Sequence, residues 1–350
     1  MDDPAAALSL ATVGIVVLLG PALALFFGGI PSRANAPWLA AIAAASAVIA
    51  TIEWMLFNHS PAVAVFQGAL AAVATVTVAS VGLRAGHRAR LAVALGVWLV
   101  AVLVPLGYSL FDIDNGPIVR VIGTLDFAGA CVIAVVPGTA AIALALAHRW
   151  FGVAVAEPPR RPAWLLACCA VAAALGLVAV SIGAELVLDA TTAVLLANAA
   201  VAAVGGAIGW TAAQIANTHT ISVDGVVSGV LAGSVVVLPA SPWLQPVAVL
   251  VLSVIAAALG HVTTMAFRSR SSKEAWAPLI GVLLVPGSVG MVGAGIVAAG
   301  PGLLYSGHAD LAEAQLQGLG LVLAMSFIAM LAVATIVFAV ARRRVSAARR

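Results

Sequence analysis

Few residues of this chain could bind an ion or transfer a proton inside its long apolar segments. Asp126 and Glu53 are carboxylates near the ends of such segments, where a carboxylate can attract a cation. All six histidines, whose imidazoles could relay protons, lie in loops or near segment ends. No metal-ligand spacing, Gly-rich phosphate loop or activated nucleophile is present. We therefore expect no enzyme, no metal site and no cofactor.

The composition places these residues in a membrane protein. Of the 350 residues, 63% are hydrophobic and 8% are charged, with a mean hydropathy of +1.17. A soluble domain carries about 25% charged residues. The net charge of +3 comes from basic residues between apolar segments. It indicates membrane topology rather than a nucleic-acid partner.

Eleven apolar segments are long enough to cross a bilayer, which takes roughly 20 residues each. We predict that all of them are helices, because an isolated strand would leave backbone groups unpaired in lipid. The eighth segment is short. The predicted limits are 6–29, 38–57, 62–83, 91–111, 127–147, 164–185, 190–215, 225–240, 245–267, 278–299 and 319–341.

The basic residues predict the orientation of these spans. With eleven spans and the N-terminus outside, Arg120 is the only one of 16 Lys and Arg residues on the outer side. The short basic tail, 342–350, would then lie in the cytoplasm. We predict a multi-pass protein of the cytoplasmic membrane. We also expect six tryptophans near span ends to anchor the bilayer interface: Trp38, Trp54, Trp150, Trp164, Trp243 and Trp276.

A faint internal repeat suggests how the spans are arranged. Val136-Pro137-Gly138-Thr139 and Val285-Pro286-Gly287-Ser288 share one pattern, 149 residues apart. Five spans per repeat would make the two halves run in opposite directions, as in many transporters. The repeats would cover about 6–147 and 164–299 of one transmembrane domain, 1–350, with the last helix added.

Two prolines stand near the middle of the membrane. A helical proline has no N–H, so Pro137 and Pro286 deprive the carbonyls of Ile133 and Val282 of their usual partners. Such carbonyls could line a solute pathway. The alternative is that both prolines are helix kinks that pack against small neighbours.

Short motifs occur along nearly the whole chain in a recognisable order. They are Ala22-Leu23-Ala24-Leu25-Phe26-Phe27-Gly28-Gly29 with Arg33-Ala34-Asn35, Phe66-Gln67-Gly68, Val97-Trp98-Leu99 with Pro105, Leu125-Asp126-Phe127-Ala128-Gly129, Asn198, Gly225 with Ser228-Gly229, Ala232-Gly233 and Leu238-Pro239, and Gly302-Leu303-Leu304-Tyr305 with Gln315-Leu316-Gln317-Gly318. Together they resemble the ammonium transporter and Rhesus (Amt/Rh) family. The resemblance implies two inverted five-helix halves plus an eleventh helix in the lipid bilayer. It also implies a homotrimer with one pore per subunit, and a P-II-type cytoplasmic regulator. The short tail supports the regulator only weakly.

The resemblance assigns pore positions, and this chain departs from the family at most of them. The family's outer vestibule tryptophan and hydroxyl correspond to Phe111 and Ala184, beside Phe66 of the third helix. Its two gate phenylalanines correspond to Leu70 and Val180. Leucine and valine can exclude water but cannot stack on a cation.

The paired pore histidines of the family are also missing. The first corresponds to Ala134 or, with a shift of three residues, to Pro137, and the second to Pro286. Asp126 matches the family's aspartate, which orders the vestibule; as an alternative it is a helix cap. Glu53 lies outside the family pattern and is either a solvated vestibule residue or a replacement cation site.

The resemblance implies transport of ammonium or ammonia. A bare ammonium ion between Ala134 and Pro286 would have no partner to offset several kcal/mol of desolvation. Neutral ammonia or another small uncharged solute is therefore the expected permeant. The alternative is a non-transporting relative that acts as a membrane sensor or assembly partner.

Overall fold

A computed structural model describes residues 4–57, 59–112, 115–156, 161–270 and 275–347. In these ranges every regular element is helical, and ten helices have the length and composition to cross a membrane. A shorter apolar helix, Val223–Val236, completes the predicted eleven. We number them α1 Pro4–Gly28, α2 Ala36–Leu56, α3 Pro61–Gly82, α4 Arg88–Phe111, α5 Cys131–Trp150, α6 Ala163–Glu185, α7 Ala190–Thr218, α8 Val223–Val236, α9 Pro246–Arg270, α10 Ala277–Val297 and α11 Asp310–Ala347.

Two predicted helix starts were wrong. Helix α11 begins at Asp310 instead of 319, and the acidic side chains of Asp310 and Glu313 in its first turn favour a helix N-terminus there. Regular structure in α5 starts about four residues later than predicted. The backbone before it pairs elsewhere, since the N–H groups of Phe127 and Ala128 donate to the carbonyls of Pro239 and Leu238.

Local capping explains several other helix starts. Ser60, before Pro61, accepts a hydrogen bond from the N–H of Val63. Ser222 caps α8 in the same way by accepting from Gly225. Asp189 forms a capping box with Thr192 at the start of α7. Asp189 is therefore a structural residue at the start of this helix.

Helices α5 and α10 cross at the centre of the bundle through matching irregularities. Each contains a π-helical segment, Cys131–Val135 and Ile280–Leu284, directly before the Val-Pro pair. A wider turn there accommodates a proline that would otherwise clash with the preceding turn. A Cβ on Gly138 would lie 2.5 Å from the Cβ of Leu284, and one on Gly287 would lie 3.2 Å from the Cβ of Ala134. The reciprocal contacts agree with the repeat, whose limits remain a prediction.

The alternation of the helices defines two ends of the bundle. The connections after α1, α3, α5, α7 and α9 lie at one end, which we call the basic end. It carries Arg33, Arg84, Arg88, Arg149 and Arg161. The connections after the even-numbered helices form the opposite end, which we call the vestibule end. Parts of the basic loops, at 157–160 and 271–274, and the end of the tail, at 348–350, lie outside the described residues.

Candidate functional site

A cavity of about 450 Å³ opens at the vestibule end, between α2, α3, α4, α6 and the segment before α5. We call it the vestibule cavity. The structure brings five predicted site residues together in its wall: Phe66, Leu70, Phe111, Asp126 and Ala184. They come from four separate parts of the chain, so only the tertiary fold assembles them.

Asp126 is 5% exposed and fixes the start of α5. Its Oδ1 accepts from the N–H of Ala130 at 2.8 Å and its Oδ2 from the N–H of Cys131 at 2.9 Å. Desolvation by burial raises the pKa of the Asp126 carboxyl, and the hydrogen bonds from Cys131 and Ala130 partly oppose this effect. The geometry agrees with the helix-cap alternative. A contribution to cation entry remains a proposal.

Helix α11 holds the segment that carries Asp126. The Oε1 of Gln315 accepts from the N–H of Leu125 at 3.0 Å, and the Nε2 of Gln315 donates to the carbonyl of Leu125 at 2.8 Å. The hydroxyl of Thr124 donates to the carbonyl of Ala314 at 3.2 Å. Gln315 is completely buried. These contacts fix the vestibule wall across 190 residues of sequence.

The vestibule cavity also contains polar and aromatic residues that the sequence analysis did not assign to it. Asp112 follows Phe111 directly and is 6% exposed, and its Oδ2 lies 3.2 Å from the Nε2 of His59. The ring of His59 packs against Trp54 with centroids 4.7 Å apart. Trp243 also lines this cavity. The position of Asp112 beside Phe111 was the only sequence signal for this group.

The tryptophan prediction was wrong at two positions. Trp54 and Trp276 are each 2% exposed, so they are core residues rather than interface anchors. Trp150 and Trp164 are 57% and 68% exposed, which suits an interface. Proximity to a span end therefore did not distinguish a lipid-facing indole from a packed one.

The deeper predicted positions do not line the vestibule cavity. They are Val180, Ala134, Ile133, Val282, Pro137 and Pro286, and all are buried. Glu53 is half-buried on α2 and lies outside the vestibule wall, and its Oε2 has no hydrogen-bond partner among the described residues. Glu185, at the end of α6, accepts a hydrogen bond from the hydroxyl of Thr192 at 2.9 Å.

The other ionisable groups form no metal-binding arrangement in the part of the chain that the structure describes. No three His, Cys, Asp or Glu side chains there are grouped so that they could hold an ion. Two of the histidines at the basic end, His148 and His261, pack against aromatic rings instead.

Comparison with known proteins identifies the family. Residues 24–349 match the Ammonium Transporter Family. The chain belongs to the ammonium transporter family. Its fold is that of this family, an all-helical membrane bundle, and the family's members are transporters rather than enzymes.

Two relatives of this ammonium transporter family member are similar over nearly their full length. The ammonium transporter Amt1 of Archaeoglobus fulgidus is 26% identical over 99% of this chain and 95% of its own. An ammonium transporter of Bacillus subtilis is 23% identical over 92% of this chain and 89% of its own.

Solved structures support the same fold. Candida albicans Mep2 superposes with a TM-score of 0.83 at 20% identity, covering 95% of this chain and 84% of that one. Saccharomyces cerevisiae Mep2 superposes with a TM-score of 0.80 at 17% identity, covering 94% of this chain and 86% of that one. A sensor Amt protein superposes with a TM-score of 0.76 at 14% identity, covering 97% of this chain and 93% of that one. At these identities the likeness concerns the fold alone.

Proposed function

We propose that this member of the ammonium transporter family takes up ammonium at the vestibule and passes it across the membrane as neutral ammonia. The observation that carries the proposal is the make-up of the vestibule cavity. Two buried carboxylates, Asp112 and Asp126, share it with the rings of Trp54, Phe111 and Trp243. Negative charge attracts a small cation, and aromatic faces add a cation–π attraction.

The floor of the vestibule supports a neutral permeant. Leu70 lines the cavity and is completely buried, as are Val180, Ala134 and Val282 deeper in the bundle. Transfer of an unpaired charged group to such surroundings costs several kcal/mol or more. Ammonia lacks that charge, so brief openings between apolar side chains would suffice for it.

The proton of ammonium must then remain on the vestibule side. The imidazole of His59 lies next to the carboxylate of Asp112, and a neutral imidazole can accept a proton. Ammonium would give its proton to His59, leaving ammonia and an imidazolium that Asp112 stabilises. The imidazolium would return the proton to water at the vestibule end. The net movement is one ammonia molecule without charge.

We further propose a homotrimer with the basic end in the cytoplasm. The placement of 16 basic residues, all but Arg120 on one side, supports this orientation. A P-II-type regulator at the basic loops and tail remains a weaker proposal from the family resemblance. The comparisons do not favour the alternative of a non-transporting sensor.

Proteoliposomes containing the full chain test the proposal. We expect an ammonium gradient to raise the internal pH without an accompanying current. A Leu70→Trp plug should abolish this signal, and Ala184→Phe, from another wall of the same cavity, should reduce it severalfold. Val121→Trp is the matched control, because Val121 is 81% exposed.

Other outcomes would overturn different parts of the proposal. A saturable ammonium current would show that charge crosses, which contradicts neutral permeation. Silence from folded protein in both assays would contradict transport and leave the sensor alternative. An unchanged rate in His59→Gln would remove His59 as the proton acceptor.

A further inference from the structure

A second polar cavity, of about 120 Å³, lies at the basic end. We call it the basic-end cavity. Its wall comes from the end of α1, the segment before α6, the starts of α8 and α10, and the last turns of α7 and α9. The vestibule cavity uses the corresponding parts of the other half: the end of α6, the start of α3, the segment before α5, and the ends of α2 and α4. The two cavities are therefore related by the inverted repeat.

The chemistry of the two cavities differs. Two carboxylates line the vestibule cavity, whereas two guanidinium groups, Arg161 and Arg268, line the basic-end cavity together with one carboxylate, Asp224. Burial is the largest effect on the pKa of Arg161 and lowers it, while Asp224 raises it and Arg268 lowers it. The three charges thus lie within electrostatic reach of one another. Among the described residues of this wall, one positive charge remains uncompensated.

A buried imidazole adds an unused polar atom to this wall. His261 is 5% exposed and lines the cavity, with its ring held edge-on to Trp210 at 5.5 Å. Its Nε2 has no hydrogen-bond partner among the described residues. A buried polar atom without a hydrogen-bond partner destabilises the folded protein. A bound ligand that pairs with this nitrogen would remove that cost.

The start of α8 supplies a third attraction for negative charge. This helix has 14 residues, and its first turn, at Asp224 and Gly225, lines the cavity. The N-terminus of a helix carries partial positive charge, although the N–H of Gly225 already donates to the Ser222 hydroxyl. Gln214 braces this turn, because its Nε2 donates to the Ser222 hydroxyl at 2.9 Å.

We propose that the basic-end cavity binds a small oxyanion of the phosphate type. Arg161 and Arg268 would pair with its oxygens, His261 would hydrogen-bond it, and the start of α8 would face it. About 120 Å³ is the space of roughly four water molecules, which suits a small tetrahedral anion but not a larger metabolite. A cation such as ammonium is disfavoured by the two guanidinium groups. This inference does not depend on the proposed transport function.

The phosphate group could come from solution or from a lipid headgroup, and the experiment separates the two sources. Inorganic phosphate is titrated calorimetrically into the full-length protein, first in detergent and chloride buffer, then in nanodiscs of phosphatidylcholine or phosphatidylglycerol. Saturable binding is expected in detergent. Loss of that binding only in phosphatidylglycerol would identify the lipid headgroup as the occupant. Equal binding in both nanodiscs would identify the free ion.

Variants test the role of each charge. Arg161→Gln and Arg268→Gln should each weaken phosphate binding about tenfold or more, as loss of a charge-assisted pair predicts. His261→Phe, which keeps a ring beside Trp210, should weaken it severalfold. Arg149→Gln is the matched control, since Arg149 is, like Arg268, an exposed arginine at the same end but does not line the basic-end cavity, and it should leave binding unchanged.

Asp224→Asn gives the most decisive result, because it should change the affinity for phosphate in the direction opposite to the arginine and histidine variants. Removal of the carboxylate should tighten phosphate binding severalfold, and a misfolded variant could not produce that gain. Loss of binding in Asp224→Asn, an equal effect of Arg149→Gln, or no saturable heat at millimolar phosphate would each overturn the proposal. Because binding is measured without flux, its failure leaves the proposed transport unaffected.

Discussion

Gln315 offers the sharpest test of how α11 positions the vestibule. The substitution Gln315→Met keeps the length of the side chain and removes both hydrogen bonds to Leu125, at 3.0 and 2.8 Å. Each bond contributes about 1 kcal/mol, and the unpaired backbone groups add to the loss, so we expect a total of about 2–4 kcal/mol. The thermal midpoint should fall by roughly 5 °C.

The assay is the fraction of monodisperse protein after heating in detergent, followed by ammonia flux in proteoliposomes. Flux should also fall, because Leu125 precedes Asp126 in the vestibule wall. Gln317→Met is the control, since Gln317 is exposed on the same helix and should change neither quantity. Equal midpoints for the two variants would refute the idea that Gln315 holds this wall.

Two further substitutions test the packing that supports the site, both by the same thermal assay. Gly138→Ala should destabilise the protein by about 1–3 kcal/mol through overpacking, because the new Cβ would lie 2.5 Å from the Cβ of Leu284. Gly14→Ala is the control and should be neutral or stabilising, because nothing lies within 4 Å of the added Cβ. An unchanged thermal midpoint in Gly138→Ala would contradict the tight crossing of α5 and α10. Asn198→Leu should cost about 2–4 kcal/mol. Its buried Nδ2 donates to the carbonyls of Ser241 and Leu244 at 2.8 and 2.9 Å, and an unchanged midpoint would mean that these bonds do not hold that loop.

The membrane class, the helix count and much of the vestibule could be predicted without coordinates. The lengths of the apolar segments alone predicted eleven spans. Each segment must be a helix long enough to cross the bilayer, because backbone hydrogen bonds in lipid have to be made within the segment. The family motifs assigned Phe66, Leu70, Phe111, Asp126 and Ala184 to the pore, and the structure places these five residues around one cavity. Helix periodicity relates only residues of one helix, such as Phe66 and Leu70, so the rest of this grouping came from the resemblance to a family of known fold.

Other features depended on contacts between distant segments. Asp112 and His59 are 53 positions apart and meet only because α2, α3 and α4 pack together. Trp54 could not be separated from the lipid-facing indoles, since periodicity does not reveal which neighbour covers a helix face. The π-helical turns before Pro137 and Pro286 likewise depend on how α5 and α10 cross.

The sequence by itself determined that this protein lies in a lipid bilayer and that its helices form a repeat. Both can be read from the sequence because hydropathy and the charges of the loops are local properties of each segment. Only the tertiary structure decided the contents of the vestibule cavity and the basic-end cavity. Asp112 and Asp126 meet in the first, and Arg161 and Arg268 meet in the second, because the packing of the helices brings together residues that are distant in the sequence. Whether a polar atom such as Nε2 of His261 finds a partner is likewise a property of packing between helices.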